Sequence, residues 1–447
     1  MGLTVIRNLF INRRFYLCST LIILLFIAGF YSDAIFLIAK ICLMFFAVAV
    51  ALDLFLLFFT GREIAELVRE APERFSNGDE NNVSIYIRNN HFFPFTATII
   101  DEIPVQFQVR DFEMKIRLRP HEEKQLNYSL RPVQRGEYVF GRTNVYISDL
   151  LGLLSRRLVF NNEDVKVAVY PSFMKIRKFE FLAISNRLTE AGIKRIRKVG
   201  QHSEFDQIKE YVNGDDLRTI NWKATAKKGK LMINQYQDER SQQIFNIIDL
   251  GRVMKMPFEQ LSLLDYSINS SLVLANTAVL RNDKAGLITF NTKVETFMPA
   301  ENRFNTVLRM MEMLYRQETD FAESNFELLL ITIKRMITHR SLLVLYSNFE
   351  SLNSLNRQLP FFRRIARDHL LLLVIFENTE ISEFRKKEPE TLEEIFIQTI
   401  AEKFIHDKQL IIRELNNHGI LSVLSRPQDL PVALVNKYLE LKDRSLI

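Results

Sequence analysis

The chain has 447 residues, of which 47% are apolar and 25% charged, and these values exclude a largely disordered protein. Its 59 basic and 53 acidic residues leave a formal net charge of +6, which disfavours nucleic acid as a partner and is compatible with contact to anionic membrane lipid. The two cysteines, Cys18 and Cys42, lie in apolar segments near the N-terminus, so the remaining sequence has neither a disulfide framework nor a thiolate metal site.

Two apolar segments near the N-terminus predict a transmembrane helical hairpin. They run over residues 17–30 and 34–59, with a short polar break between them. Because about 20 helical residues cross a ~30 Å hydrocarbon layer, we expect spans at about 15–31 and 36–59 within a hairpin and juxtamembrane region of residues 1–70. A signal peptide is the competing interpretation, but no small-residue cleavage site followed by polar sequence precedes the second segment.

Arginine placement predicts the orientation of this hairpin. Arg7, Arg13 and Arg14 precede it and Arg62 and Arg69 follow it, whereas the connecting turn is short. Cytoplasmic flanks of membrane helices are rich in Lys and Arg. Both ends of the hairpin, and with them both termini, are therefore expected on the cytoplasmic side.

Two charged residues, Lys40 and Asp53, lie within the second predicted span. Charges inside a membrane often mark functional sites. Both residues lie near enough to an end of the span for the side chain to reach the interface, so we expect both to snorkel and neither to form a site.

Short segments with apolar residues at every second position predict a β-sandwich over residues 73–171. Prolines and glycines punctuate them, as is typical of antiparallel strands joined by turns. No catalytic or ligand-binding pattern is present in this region. A spacer, an oligomerisation surface and a partner-docking module all remain open as its role. The segments are residues 83–88, 114–118, 125–130, 144–147 and 165–170.

Residues 172–239 form a linker and a helix–strand motif. The basic run at 194–198 predicts a solvated linker, with contact to lipid phosphates as the alternative. In the motif, Gly214 and the pair Asp215 and Asp216 are expected to turn the chain and cap a helix that Gly229 ends.

The predicted motif helix carries the single tryptophan of the chain, Trp222, together with Arg218, Asn221 and Lys223. Two interpretations stay open. The polar residues are either a solvated helix surface around a core tryptophan, or a partner-binding surface. Exposure of Trp222 would favour the second, since tryptophan is enriched among residues that dominate binding energy.

From residue 240 to 447 buried strands alternate with long helices, which predicts a doubly wound α/β domain. The expected strands are residues 244–249, 284–290, 341–346, 369–376 and 420–424. The expected helices are residues 258–281, 303–316, 325–339, 352–367, 390–413 and 431–441.

The run Gly-Asp-Asp-Leu-Arg-Thr-Ile-Asn-Trp-Lys-Ala-Thr-Ala at 214–226 resembles the hallmark of the bacterial domain-of-unknown-function fifty-eight family. Residues 135–138, 149–153 and 170–171 resemble the upstream region of the same family. The resemblance implies anchoring in the bacterial inner membrane, a von Willebrand factor A-like C-terminal domain and frequent encoding beside a MoxR-type AAA+ ATPase. It implies no established enzymatic activity.

The resemblance also raises the question of a metal site. Metal-binding von Willebrand A domains present Asp-x-Ser-x-Ser after their first buried strand, so that oxygen ligands meet Mg²⁺ or Mn²⁺ at the carboxyl edge of the sheet. The corresponding residues here are Asp249, Gly251 and Val253, with Asn348 where a later aspartate is usual and Thr306 as a weak further candidate. Both serine hydroxyls are missing, and we expect a degenerate site without metal.

The sequence lacks the common catalytic motifs, so we do not expect an enzyme. The sequence has no phosphate loop, no His-Glu-x-x-His and no Gly-x-Ser-x-Gly, and none of its seven histidines stands at ligand spacing from another. We therefore expect a membrane-anchored scaffold or adaptor that binds a protein, with a MoxR-type AAA+ ATPase as the partner and no cofactor. The alternative is a metal-dependent binding or hydrolytic domain in which Asp249, Asn348 and the pair Asp215 and Asp216 share an ion.

Overall fold

The structure is a computed structural model. It divides into two compact units, Met1–Tyr170 and Pro171–Ile447. The predicted basic run at 194–198 and residues Arg62, Gly214, Asp215 and Asp216 lie outside the residues that it describes. The described residues are 7–58, 64–160, 165–172, 203–212, 217–238, 241–259, 261–303, 305–317, 319–378, 391–444 and 446–447.

Two long apolar helices stand near the N-terminus, as the sequence predicts. Helix α1 spans Arg13–Ala28 and continues into a 3₁₀ turn at Gly29–Tyr31, and helix α2 spans Asp33–Phe58. By length and composition both are able to cross a membrane. The two helices come close at Gly29, where an added Cβ would lie 2.9 Å from the Cα of Phe36.

The rest of the first unit is rich in strands. They form a five-stranded sheet in the order β1-β10-β9-β5-β6 and two three-stranded sheets, β2-β4-β7 and β3-β11-β8. The strands alternate buried and exposed side chains, and the inward residues of the first two sheets share one apolar core. The strands are β1 Leu9–Ile11, β2 Ala65–Glu70, β3 Arg74–Ser76, β4 Asn81–Asn89, β5 Phe95–Asp101, β6 Met114–Leu118, β7 Glu123–Leu130, β8 Gly136–Val139, β9 Thr143–Ser148, β10 Leu154–Phe160 and β11 Lys166–Tyr170.

The strand-rich region begins before the hairpin, which the sequence did not lead us to expect. Strand β1 pairs antiparallel with β10, and β2 pairs antiparallel with β4. The chain thus passes from β1 into α1 and, after α2 ends at Phe58, joins a sheet again at β2. Both ends of the hairpin are consequently fixed to the same folded region.

The prediction that Arg69 flanks the membrane helices on the cytoplasmic side is wrong. Its guanidinium lies in an ion pair with Asp101 at 2.7 Å, and both side chains are fully inaccessible. Tyr128 and Thr143 donate further hydrogen bonds to the Asp101 carboxylate, at 2.6 and 2.9 Å. Because Arg69 neutralises a buried carboxylate inside the strand-rich region, it does not serve as a cationic flank of the membrane helices.

Asp53 is a second correction, since it does not snorkel. The residue is fully buried, and its Oδ2 accepts hydrogen bonds from the backbone N–H groups of Leu153 at 3.1 Å and Leu154 at 2.8 Å. Leu154 is the first residue of β10 and Leu153 precedes it, so the carboxylate joins α2 to the strand-rich region. Lys40 is exposed, with its Nζ 4.5 Å from the ring centroid of Phe36.

The second unit starts with a two-stranded hairpin, β12 Ser203–Glu210 and β13 Met232–Asp238, and the short helix α3, Trp222–Lys228, lies between these strands in the chain. A six-stranded open sheet follows in the order β18-β17-β14-β19-β20-β21. Strand β18 is antiparallel to its neighbour and the other pairings are parallel. These strands are β14 Gln243–Asp249, β17 Lys284–Phe290, β18 Val294–Glu301, β19 Leu342–Tyr346, β20 Leu370–Phe376 and β21 Leu421–Ser425.

The described helices of this α/β region follow the predicted order, with shifted ends. The first begins at residue 263 and not at 258, because Pro257–Phe258 (β15) and Leu261–Ser262 (β16) pair with each other and Ser262 caps the helix. The helices are α4 Leu263–Leu280, α5 Thr306–Tyr315, α6 Phe326–Met336, α7 Leu352–Asp368, α8 Leu392–Asn417 and α9 Leu430–Asp443.

Candidate functional site

The carboxyl ends of β14 and β19 meet at the centre of the α/β sheet. From β14 the chain passes to β17 on one side, and from β19 it passes to β20 on the other. In open α/β sheets, ligands bind in the crevice outside the carboxyl ends of the strands at such a reversal of strand order. Asp249 ends β14, and Ser347 and Asn348 follow β19 directly.

Asp249 occupies the floor of this crevice and is fully buried. Its Oδ1 accepts hydrogen bonds from the Gly251 N–H at 2.8 Å and from the Ser324 hydroxyl. Its Oδ2 accepts one from the Ser347 hydroxyl at 2.6 Å. Burial raises the pKa of the Asp249 carboxyl, and these three hydrogen bonds partly oppose the rise.

Two hydroxyls reach Asp249 although positions 251 and 253 carry none, as the sequence indicates. Ser324 and Ser347 each place a hydroxyl on Asp249. A Cβ added to Gly251 would overlap the Ser324 Oγ, so Ser324 occupies the space that a side chain at 251 would need. Ser324 lies 75 residues after Asp249 in the chain. A local sequence motif around Asp249 therefore does not include it.

Asn348 is hydrogen-bonded to the buried ammonium group of Lys408. Its Oδ1 accepts a hydrogen bond from Lys408 Nζ, and the same ammonium donates to the Phe349 carbonyl at 2.7 Å. Lys408 lies on α8, and burial lowers its pKa to about 8. Lys408 was not among the predicted site residues, although a lysine between the apolar residues 404–405 and 410–412 of a helix indicates a partly buried cation.

The crevice above Asp249 has a volume of about 450 Å³. Val253 and Asn348 are among its lining residues. The lining also carries charges of both signs, from Arg252, Arg357, Glu323 and Glu350. Thr306 is not among its lining residues, because it is buried at the start of α5, where its hydroxyl accepts from the Arg303 N–H at 3.0 Å.

The donor set at this crevice does not fit a resident divalent cation. Mg²⁺ and Mn²⁺ require several anionic or carbonyl oxygens. Asp249 has a raised pKa and already accepts from two hydroxyls, and the Asn348 amide oxygen is bound to Lys408. Glu323 and Glu350 also line the crevice, but among the described residues they form no metal-binding group of three with Asp249. No group of three His, Cys, Asp or Glu residues suited to a metal occurs within the described ranges.

The motif helix is capped differently from the prediction. Asn221 is the N-cap: its Oδ1 accepts from the Ala224 N–H at 3.0 Å, and its Nδ2 donates to Asn234 Oδ1 on β13 at 2.8 Å. Asp215 and Asp216 lie seven and six residues before the helix start at Trp222 in the sequence, too far to cap it. Gly229 ends the helix with φ 69°, as expected.

Trp222 is the first residue of this helix and is 71% exposed. It is therefore a surface residue and not part of a core. Lys223, Lys227 and Lys228 are exposed beside it on the same short helix. Arg218 belongs to the 3₁₀ turn Leu217–Thr219, and its side chain lies outside what the structure describes.

These features define a class of protein: two apolar N-terminal helices tied to a strand-rich region, followed by an α/β region with an exposed motif helix. A family model described as "Protein of unknown function DUF58" matches residues 207–399, which include the motif helix and β14 to β20. "Uncharacterized protein YeaD" of Bacillus subtilis (strain 168) is 26% identical over 254 residues, covering 54% of this chain and 60% of the relative.

Two similarities to solved structures are remote. A PapD-like domain of human CEP192 is 13% identical, with a TM-score of 0.18, and the alignment covers 24% of this chain and 83% of that one. Proximal thread matrix protein 1 from the mussel byssus is 10% identical, with a TM-score of 0.26, and the coverages are 46% and 48%. Neither likeness bears on function.

Proposed function

We propose that this protein is a membrane-anchored, cytoplasm-facing scaffold or adaptor without enzymatic turnover, and that its partner is a MoxR-type AAA+ ATPase in a chaperone-like or assembly role. The exposed Trp222 carries the proposal. Such a large apolar side chain, held on a capped helix in water, is typical of an energetic anchor in a protein interface.

The positive charge around Trp222 supports a protein partner with an acidic surface. Lys223, Lys227 and Lys228 share the helix with the tryptophan, and no acidic residue stands in its first turn. Complementary charge accelerates association and fixes orientation. The choice of a MoxR-type ATPase rests on the resemblance of residues 214–226, since family members are commonly encoded beside one.

We assign the α/β region to the von Willebrand factor A-like type as part of this proposal. The sheet order with β14 in the interior, the antiparallel edge strand β18 and Asp249 at the carboxyl edge support that assignment. Because Lys408 already supplies a cation at Asn348, partner binding at this edge is proposed to be independent of metal.

The placement of the hairpin supports the anchoring part of the proposal. Strands β1 and β2 flank α1 and α2 and join sheets of one folded region, so both ends of the hairpin lie on the same side of any membrane it crosses. Arg13 and Arg14 at the start of α1 favour the cytoplasmic side of the bacterial inner membrane.

The test is the affinity of the detergent-solubilised protein for the MoxR-type ATPase of the same organism. Trp222→Ala is expected to weaken binding by at least about tenfold, which is the typical loss for an interface anchor. Phe396→Ala is the matched control, since Phe396 is an aromatic residue 68% exposed on α8, and it should leave the affinity unchanged. Equal binding by the wild type and Trp222→Ala would contradict the proposal.

A metal-dependent binding or hydrolytic domain is the second candidate. The observation in its favour is the pair of hydroxyls that Ser324 and Ser347 bring to Asp249. It requires saturable binding of Mg²⁺ or Mn²⁺ that Asp249→Ala abolishes, measured by isothermal calorimetry. An absence of heat above dilution would eliminate it.

A further inference from the structure

A basic cavity opens on the five-stranded sheet at the start of α1. Its volume is about 660 Å³, and its lining includes four basic side chains, Arg13, Arg14, Lys115 and Arg117, against two acidic ones, Glu113 and Asp149. Lys115 pairs with Glu113 at 2.8 Å. The cavity therefore carries a net positive charge, concentrated on the arginines.

None of the three arginines has an anionic partner among the described residues, and two of them have no hydrogen-bond acceptor there at all. Arg14 donates to the Leu150 and Leu151 carbonyls at 3.5 and 3.1 Å, whereas the guanidinium groups of Arg13 and Arg117 contact no described hydrogen-bond acceptor. Arg13 and Arg14 also occupy the first turn of α1, which has no acidic residue. Cations beside the positive end of a helix dipole are unfavourable unless an anion compensates them.

The floor of the cavity carries two hydroxyl groups in register with Arg117, of which the Ser148 hydroxyl makes a long hydrogen bond of 3.4 Å to the Thr96 carbonyl. Thr96 is paired across the strands with Arg117 on one side and with Ser148 on the other, and all three line the cavity. Side chains directly opposite on neighbouring strands have Cβ atoms about 5 Å apart. Guanidinium and hydroxyl groups at this spacing are suited to a tetrahedral phosphate.

Apolar side chains stand at the rim of the same cavity. Phe10, Ile11 and Leu150 line it and are 38%, 45% and 60% exposed, and the neighbouring Leu151 is 39% exposed. The loop that carries Leu150 and Leu151 is held to the hairpin, because Asp53 of α2 accepts from the Leu153 and Leu154 amides and Arg156 donates to the Leu57 carbonyl at 2.8 Å. The rim thus lies where α1 begins and α2 ends.

We propose that this cavity binds the headgroup of an anionic phospholipid, with the phosphate between Arg13, Arg117 and the hydroxyls, and the acyl chains against the exposed apolar rim. The combination of unpaired arginines and exposed leucines at the ends of two apolar helices matches the amphipathic chemistry of a lipid at the membrane interface. The proposal rests on the proposed membrane placement and is independent of any protein partner.

The test is lipid retention by the full-length chain in detergent, counted by native mass spectrometry during titration with short-chain phosphatidylglycerol or phosphatidylcholine. We expect one saturable phosphatidylglycerol site, with weaker binding of phosphatidylcholine. Loss of two interfacial cations in Arg13→Gln/Arg117→Gln should weaken phosphatidylglycerol binding about thirtyfold, at about 1 kcal/mol for each cation. Arg88→Gln/Arg110→Gln removes the same charge from exposed positions outside the cavity and should change nothing.

Three results would overturn the proposal: equal retention of both lipids, an equal loss in the two double variants, or displacement by inorganic phosphate and glycerol phosphate as effectively as by lipid. The last would reassign the cavity to a soluble phosphate compound. If instead the protein remained soluble without detergent and outside the membrane fraction, the membrane placement itself would fail, and this outcome is recognised before any lipid is added.

Discussion

Asp249 is a buried carboxylate whose hydrogen-bond partners all come from within the chain. The carboxylate sits at the carboxyl end of the interior strand β14, is sealed from water, and is satisfied by one amide and two hydroxyls. A buried carboxylate without such donors would be costly. The buried carboxylate is thus stabilised by groups within the chain. In the same way, Lys408 donates a hydrogen bond to the Asn348 side-chain oxygen.

Exchange of the hydroxyl between positions 251 and 324 tests this arrangement. Gly251→Ser alone should destabilise the protein by about 1–3 kcal/mol, because the new side chain overlaps the Ser324 Oγ and overpacks a buried site. Adding Ser324→Ala should recover much of that loss, since it vacates the space. Denaturant unfolding of the single variants and the double variant measures the coupling, and strictly additive effects would show that the two side chains do not share one space.

At the residue scale, the sequence singled out Asp249, Asn348 and Trp222 as candidates but did not reveal the residues that contact Asp249 and Asn348. Asp249 was recognisable because it ends a continuous apolar strand. The hydroxyls were not, since Ser324 reaches it across 75 residues and Ser347 across 98. The N-cap at Asn221 was missed because the Asp215 and Asp216 pair looked like the stronger capping signal, whereas the helix starts only at Trp222.

At the element scale, the helical hairpin is locked to the strands by polar contacts from its second helix. Asp53 accepts two backbone N–H groups, and the Leu57 carbonyl accepts from Arg156. Leu57 itself belongs to the apolar core of the strand-rich region. The end of α2 is therefore part of the folded region.

Substitution of Asp53 should weaken this junction. Asp53→Leu leaves two buried N–H groups without an acceptor, and we expect a loss of about 1–3 kcal/mol, seen as a lower unfolding temperature in detergent. Asp53→Asn keeps an acceptor oxygen and should lose much less. Asp111→Leu is the control, because it removes an exposed carboxylate of the same unit. Equal behaviour of Asp53→Leu and Asp111→Leu would contradict the contact.

Sequence periodicity anticipated the longer elements and missed the short ones. The sequence predicted α1 and α2 from their continuous apolar residues. It predicted β4, β7 and β11 from apolar residues at every second position. Strand β1 has three residues, too few to show a period. Strand β2 alternates, but its Arg69 was interpreted as a membrane flank because the buried Asp101 that pairs with it lies 32 residues away.

At the scale of the whole molecule, each proposal depends on where the chain sits. Strands on both sides of the hairpin join one folded region, so a membrane crossed by α1 and α2 must leave the turn at Tyr31–Asp33 on one side and the strands on the other. The arginines at the start of α1 support our proposal that this second side is the cytoplasm. The docking of an ATPase at Trp222 and lipid binding at Arg13 both require this placement.

Cysteine accessibility in spheroplasts tests the placement most directly. The chain has two cysteines, Cys18 and Cys42, so Cys18→Ala/Cys42→Ala provides a background for Ser32→Cys in the turn or for Val105→Cys, which replaces a strand-region residue 88% exposed. We predict that a membrane-impermeant maleimide labels position 32 in intact spheroplasts and position 105 only after lysis. Labelling of position 105 before lysis, or recovery of the chain outside the membrane fraction, would contradict the account.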